Sequence, residues 1–117
     1  MMNIHNIYNI IRTDYLVIFI LSILSLAANA DISDMRKAEI INLLKQDCGS
    51  CHGMTLKGGL GPALTPARLK TKSKKMLVET ILHGRPGTPM PPWAPFLNRE
   101  EVQWLVEQLY QDSDYVE

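Results

Sequence analysis

Net charge, strand-like patterning and internal repetition are all missing from this chain. Twelve Lys and Arg are balanced by twelve Asp and Glu, so bulk electrostatics argue against a nonspecific nucleic-acid partner. No stretch alternates apolar and polar residues over a strand's length between turn residues, which excludes an obvious sheet. No repeat or low-complexity tract occurs. The charge-free apolar run Tyr15–Leu26 is shorter than the ~18–20 residues that cross a bilayer. Cysteine is also scarce, at two residues, Cys48 and Cys51. A bridge between them would close only a tiny loop and barely constrain the unfolded chain. Something else should occupy these thiols.

The first thirty residues differ from the rest. Met1 to Asp14 is polar, with His5 and Arg12 as its basic groups, and the apolar run follows. Ala28-Asn29-Ala30 then offers a small-x-small cleavage site before Asp31. That order of regions predicts a signal peptide over 1–30 and export of residues 31–117. An uncleaved membrane anchor is the alternative, since Asp14 offsets Arg12 and leaves the leader weakly basic. Residues 31–117 make one small domain, of a size that often relies on a metal or cofactor for its core.

That domain reads as helices separated by Gly/Pro-rich loops. A first helix is expected over Asp34–Lys45, capped by Ser33 or Asp34, with Ile40, Ile41 and Leu44 on its apolar face and Met35 or Leu43 beside them. Gly58, Gly59, Gly61, Pro62 and Pro66 make Gly53–Pro66 a loop. A second helix is expected over Ser73–His83, with Met76, Leu77, Thr80 and Ile81 inward, Val78 at the edge, and Gly84 as terminator. Five prolines hold Arg85–Pro95 extended. The last helix starts at Asn98, whose N-cap position and partner Glu101 form a capping box. Val102, Leu105, Val106 and Leu109 form its buried stripe, with Trp104 beside it, and it should fade near Gln111.

Cys48-x-x-Cys51-His52 is the attachment pattern of c-type haem. Two thiols three positions apart at a helix end can reach two vinyl groups of one porphyrin, and the next residue then lies under the iron. A zinc site would need four protein ligands, yet outside the leader only His83 remains. A thioredoxin-like dithiol would need a βαβ setting, which is missing. The expected cofactor is therefore one covalent haem c on Cys48 and Cys51, with His52 as an axial ligand.

Methionine and histidine are the usual sixth ligands when iron only carries electrons. Met90 fits best, because Pro89, Pro91 and Pro92 limit the freedom its loop must lose. Met54 lies too near His52, and Met76 reads as core. His83, at a helix C-terminus, stays as the rival. A carbonyl of the Gly61-Pro62 turn can accept from the far nitrogen of His52. Arg85 and Trp93 are candidate donors to haem propionates. Charge is uneven along the chain: Arg68, Lys70, Lys72, Lys74 and Lys75 crowd one stretch, while acidic residues weight the C-terminal end. The basic stretch is the first candidate surface for a redox partner.

The order helix, CxxCH, Gly/Pro loop, helix, Met loop, helix resembles the small class I cytochromes c over the whole of 31–117. The strings DCGSCHGMTLKGGLGPALTP (Asp47–Pro66) and ILHGRPGTPMPPW (Ile81–Trp93) are most similar to the NirC-type cytochromes c associated with cytochrome cd-type nitrite reductase. The resemblance implies an all-α fold packed around one haem. It implies crossing terminal helices, with Ile40, Ile41 or Leu44 against Trp104 and Leu105. It also implies that the Pro62 carbonyl orients His52 and that Met90 is the distal ligand. The function it implies is periplasmic single-electron transfer to nitrite reductase, fed by a quinol-linked donor, without enzymatic activity of its own. An accessory role in maturing that reductase or its special haem is the alternative it suggests.

Overall fold

The computed structural model describes residues 3–5, 8, 12, 15–19 and 31–111. The chain divides into two compact units, Met1–Asp31 and Ile32–Glu117. In the first, residues 15–19 are helical. The proposed cleavage site Ala28–Ala30 and the acidic tail from Asp112 lie outside the described residues. Among the described residues no helix is long and apolar enough to cross a membrane.

The second unit is helical, with no strand among its described residues. Helix α1 spans Asp34–Leu43 and is capped by Ser33, whose hydroxyl accepts from the Arg36 amide at 3.3 Å. The chain does not stop at Lys45 as expected. It continues through a π-helical turn, Leu44–Cys48, into the short helix α2, Gly49–His52. The wide turn is marked by the Gly49 amide donating to the Leu44 carbonyl, five residues back. Ile40 and Leu44 are buried, Ile41 and Leu43 half-buried, and Met35 points to solvent.

A short helix α3, Pro66–Leu69, interrupts what reads as loop in the sequence. Proline at a first helical position loses no bond, because that amide has no intrahelical partner. Helix α4 spans Lys74–His83, with the Ser73 hydroxyl accepting from the Met76 amide at 3.1 Å. Its buried residues are Val78 and Leu82, with Leu77 and Ile81 half-buried and Met76 exposed. The inward face is thus rotated from the expected one. Apolar residues occupy two adjacent stripes on α4, and packing on α5 selects the stripe holding Val78 and Leu82.

Helix α5, Arg99–Tyr110, carries the capping box in full: the Asn98 side chain accepts from the Glu101 amide at 2.9 Å, and the Glu101 carboxylate accepts from the Asn98 amide at 2.8 Å. It is the hub of the unit, packing on α4, α3 and α1. Val102, Leu105, Val106 and Leu109 join Ile40, Leu44, Val78 and Leu82 in one core, with Trp104 partly buried against it. Removing a fully buried leucine from such a core costs ~2–5 kcal/mol. Tyr110 ties the end of α5 to the segment after α3, its hydroxyl lying 2.6 Å from the Lys72 carbonyl and 3.0 Å from that of Leu69.

Candidate haem site

The two cysteines and His52 sit at the end of the continuous helical stretch, where α2 stops. Gly53 follows with φ +88° and turns the chain away. Both thiols are free; Cys48 is half-buried and Cys51 exposed. Burial, and then the neighbouring Asp47 charge, push the Cys48 thiol up to about 11. It is therefore protonated at neutral pH, unlike a thiolate poised for redox exchange.

His52 is held by the loop that follows it. Its Nδ1 lies 2.6 Å from the Pro62 carbonyl oxygen. A carbonyl only accepts, so Nδ1 bears the proton and Nε2 carries the lone pair. Nε2 has no partner among the described residues. The loop closes on the helix end through the Gly58 amide to the His52 carbonyl at 2.8 Å and the Gly61 amide to the Cys51 carbonyl at 2.7 Å. Gly61 stands against the imidazole: a Cβ there would lie 2.8 Å from Cε1 and from Nδ1. Only glycine lets the backbone pass so close to the ring.

Leu56 is the inner anchor of this loop. Its side chain is buried, its backbone is left-handed at φ +55°, and its carbonyl accepts from Leu64 at 2.8 Å. A leucine adopts that conformation at some cost, and burial of its side chain in the core offsets it. No signal in the sequence distinguishes Leu56 from Leu60, which is almost fully exposed.

The Met90 loop is built separately, on α4. Gly84 ends α4 at φ +68°, and a Cβ there would strike the Met90 carbonyl and the Pro91–Pro92 peptide at 2.7–2.8 Å. The Arg85 amide donates to the Met90 carbonyl at 3.1 Å, and the Trp93 and Ala94 amides donate to Ile81 and Leu82 at 3.0 and 3.1 Å. Met90 itself is half-buried. Trp93 packs on the core and meets the Phe96 ring at 5.8 Å in a tilted arrangement. Arg85 is exposed and in no ion pair among the described residues. His83, the rival ligand, is exposed and lies 3.2 Å from the Glu79 carboxylate, which also binds Arg99.

These residues fit a haem group: two unbridged thiols, an imidazole nitrogen left unpartnered by an orienting hydrogen bond, and a glycine cradle against that ring. The family described as cytochrome c oxidase, cbb3-type, subunit III matches residues 35–109. The chain belongs to this family of cytochrome c domains. Haem c, bound covalently, is its cofactor, and Cys48-x-x-Cys51-His52 fits the attachment pattern.

Cytochrome c55X of Pseudomonas aeruginosa is 58% identical over 74 residues, which cover 63% of this chain and 62% of that protein. The solved structure of a c-type cytochrome NirC is 50% identical, with a TM-score of 0.69, and the match covers 73% of this chain and 99% of that one. Dihydro-heme d1 dehydrogenase of Pseudomonas aeruginosa is 42% identical over 69 residues, covering 59% of this chain but 14% of that enzyme. The fold is that of a small class I cytochrome c and is similar to that of the NirC type.

Proposed function

We propose that this chain is an exported monohaem cytochrome c that carries single electrons, with a cd-type nitrite reductase as recipient and a quinol-linked protein as donor. The observation that carries this reading is the His52 ring, fixed through Nδ1 by Pro62 and free at Nε2, directly after two unbridged thiols. Cys48 and Cys51 would hold the haem as thioethers, and His52 and Met90 would ligate its iron. When bound, the group supplies a one-electron iron couple. The Pro62 carbonyl keeps the His52 proton on Nδ1 and so strengthens donation from Nε2. A thioether from Met90 favours the reduced iron and raises the potential. With His52 and Met90 both ligating, the iron would keep no open position for a substrate. Arg85 and Trp93 have donors free to meet the propionates. Residues 1–30 serve as the export signal for residues 31–117. Mass spectrometry of the exported protein tests that point: an N-terminus at Asp31 supports cleavage, and an intact leader supports an anchor.

Ligation is tested with Met90→Ala. The sulfur–iron charge-transfer band should vanish and the potential fall; an unchanged spectrum would assign the sixth position to His83 or another group. The electron-carrier role is tested by mixing the reduced cytochrome with fully assembled nitrite reductase and following its oxidation when nitrite is added. Oxidation no faster than background would reject it.

A role in maturing the reductase or its special haem is the second reading. It is favoured by the 42% identity to part of dihydro-heme d1 dehydrogenase. It expects normal turnover by an assembled reductase in the absence of this cytochrome.

A further inference from the structure

Glu101 is the one charged residue buried among the described residues. Its carboxylate serves more than the capping box. Arg36, on α1, donates from Nε to Oε1 at 2.5 Å and from Nη2 to Oε2 at 3.2 Å. The same Nη2 donates to the Phe96 carbonyl at 2.8 Å, and Nη1 donates to Glu39 at 2.9 Å. One guanidinium therefore joins α1, the start of α5, and the turn that follows the Met90 loop.

From Phe96 the connection runs back along the backbone. The Phe96 and Leu97 amides donate to the Trp93 carbonyl at 2.9 and 3.0 Å, and the Trp93 amide donates to Ile81 on α4. The segment from Trp93 to Leu97 is thus fastened to α4 at one end and to Arg36 at the other, and it continues directly from Met90, whose carbonyl accepts from the Arg85 amide. Exposed ion pairs contribute little. This one is bidentate with a buried acceptor, and losing the arginine would leave a buried carboxylate with its charge unpaired and only the Asn98 amide as donor among the described residues. The ion pairs Arg99–Glu79 and Lys74–Glu107 also link helices, but they are exposed and join α4 to α5 alone.

We propose that Arg36 is a positioning residue for Met90: by gripping Glu101 and the Phe96 carbonyl together, it holds the methionine loop in the conformation that presents the thioether. This rests on the Met90 ligation argued above. The guanidinium meets the Glu101 carboxylate and the Phe96 carbonyl from two nitrogens of one planar fork, a geometry that the single nitrogen of a lysine keeps in charge but not in span.

The test uses the ferric holoprotein of the full chain, titrated with imidazole, which competes with Met90 for the iron. Arg36→Gln should tighten imidazole binding on the order of tenfold and weaken the charge-transfer band. Arg36→Lys should fall between it and the wild type, and carries the test if the glutamine variant does not fold. Arg99→Gln, which breaks an exposed ion pair that touches neither Phe96 nor Glu101, should shift imidazole binding by less than about twofold. Wild-type imidazole affinity in folded Arg36→Gln would overturn the proposal. So would an equal shift in Arg99→Gln, since general loosening would then suffice. A wild-type protein lacking the charge-transfer band would instead defeat Met90 ligation. Amide exchange at Trp93 and Ala94 then decides whether Arg36 fixes the loop: faster exchange in Arg36→Gln than in Arg99→Gln supports the latch, and equal exchange rejects it.

Discussion

At the scale of single residues, Gly61 makes the sharpest demand. A methyl group at its Cα would sit 2.8 Å from the His52 ring, so Gly61→Ala must move either the imidazole or the loop that orients it. The expected result is a lower yield of haem-loaded protein and a ferric form that binds imidazole more tightly, read from the haem-to-protein absorbance ratio and by titration. Glu101 makes a prediction in pH. The side-chain bonds from Arg36 lower its carboxyl below the usual range, an effect burial opposes and the Asn98 amide reinforces. A lowered folded value means that the unfolded chain binds the proton more readily. Its contribution to stability is therefore complete above about pH 4.5 and is lost as the pH falls through the folded value. Glu101→Gln should flatten the acid side of the stability curve, measured by denaturant titration between pH 3 and 7. An acid limb as steep as that of the wild type would show that other carboxylates set it.

Among the elements, α5 was the most legible in the sequence and the stretch from α1 to α2 the least. Asn98 and Glu101 announce their capping box within four residues, and the structure contains both bonds. Replacing Asn98 with Ala should cost ~1 kcal/mol in urea unfolding with no change in the haem spectrum, because the Asn98 backbone amide and Arg36 still hold the Glu101 carboxylate. Helix α4 was legible in its ends, Ser73 and Gly84, and misread in its face. Two neighbouring apolar stripes satisfy the same period, and only the partner helix chooses between them. Helix α3 carried its signal in Pro66, which reads equally well as a loop breaker. The π-turn had no signal at all, since nothing in Leu44–Cys48 disfavours an ordinary α-helical turn. The Arg36–Glu101 contact was illegible for a different reason: 65 residues separate the partners, and the capping box already accounts for the glutamate. At the site, the CxxCH motif and the Gly61-Pro62 turn could be read because their partners are close in sequence. The left-handed Leu56 could not, because its conformation is imposed by a core assembled from distant helices.

The whole molecule is neutral but not uniform. Between residues 57 and 85 the charged side chains are Lys57, Arg68, Lys70, Lys72, Lys74, Lys75 and Arg85 against Glu79 alone. Lys74 is engaged with Glu107 and the Tyr110 ring; Lys70, Lys72 and Lys75 are exposed and in no ion pair among the described residues. An acidic partner would be drawn to this middle segment even though the net charge gives no steering. Reversing Lys70, Lys72 and Lys75 to Glu should slow oxidation by the proposed recipient, nitrite reductase, at low salt by about tenfold and flatten its salt dependence in stopped-flow. An unchanged salt slope would place the docking surface elsewhere.

The wide turn before the cysteines bears on how such a chain can change length. A π-turn holds one residue more than the α-helical turn it replaces, and Leu44–Cys48 lies between the Ile40 contact with the core and the attachment cysteines. Deleting the exposed Gln46 should therefore close the bulge into regular helix while leaving both flanks in phase. Haem staining after denaturing electrophoresis would show the cofactor still attached. By the same geometry, a one-residue gap in an alignment of this family belongs between Leu44 and Cys48, where an insertion can be taken up without rotating the haem-binding end away from the core.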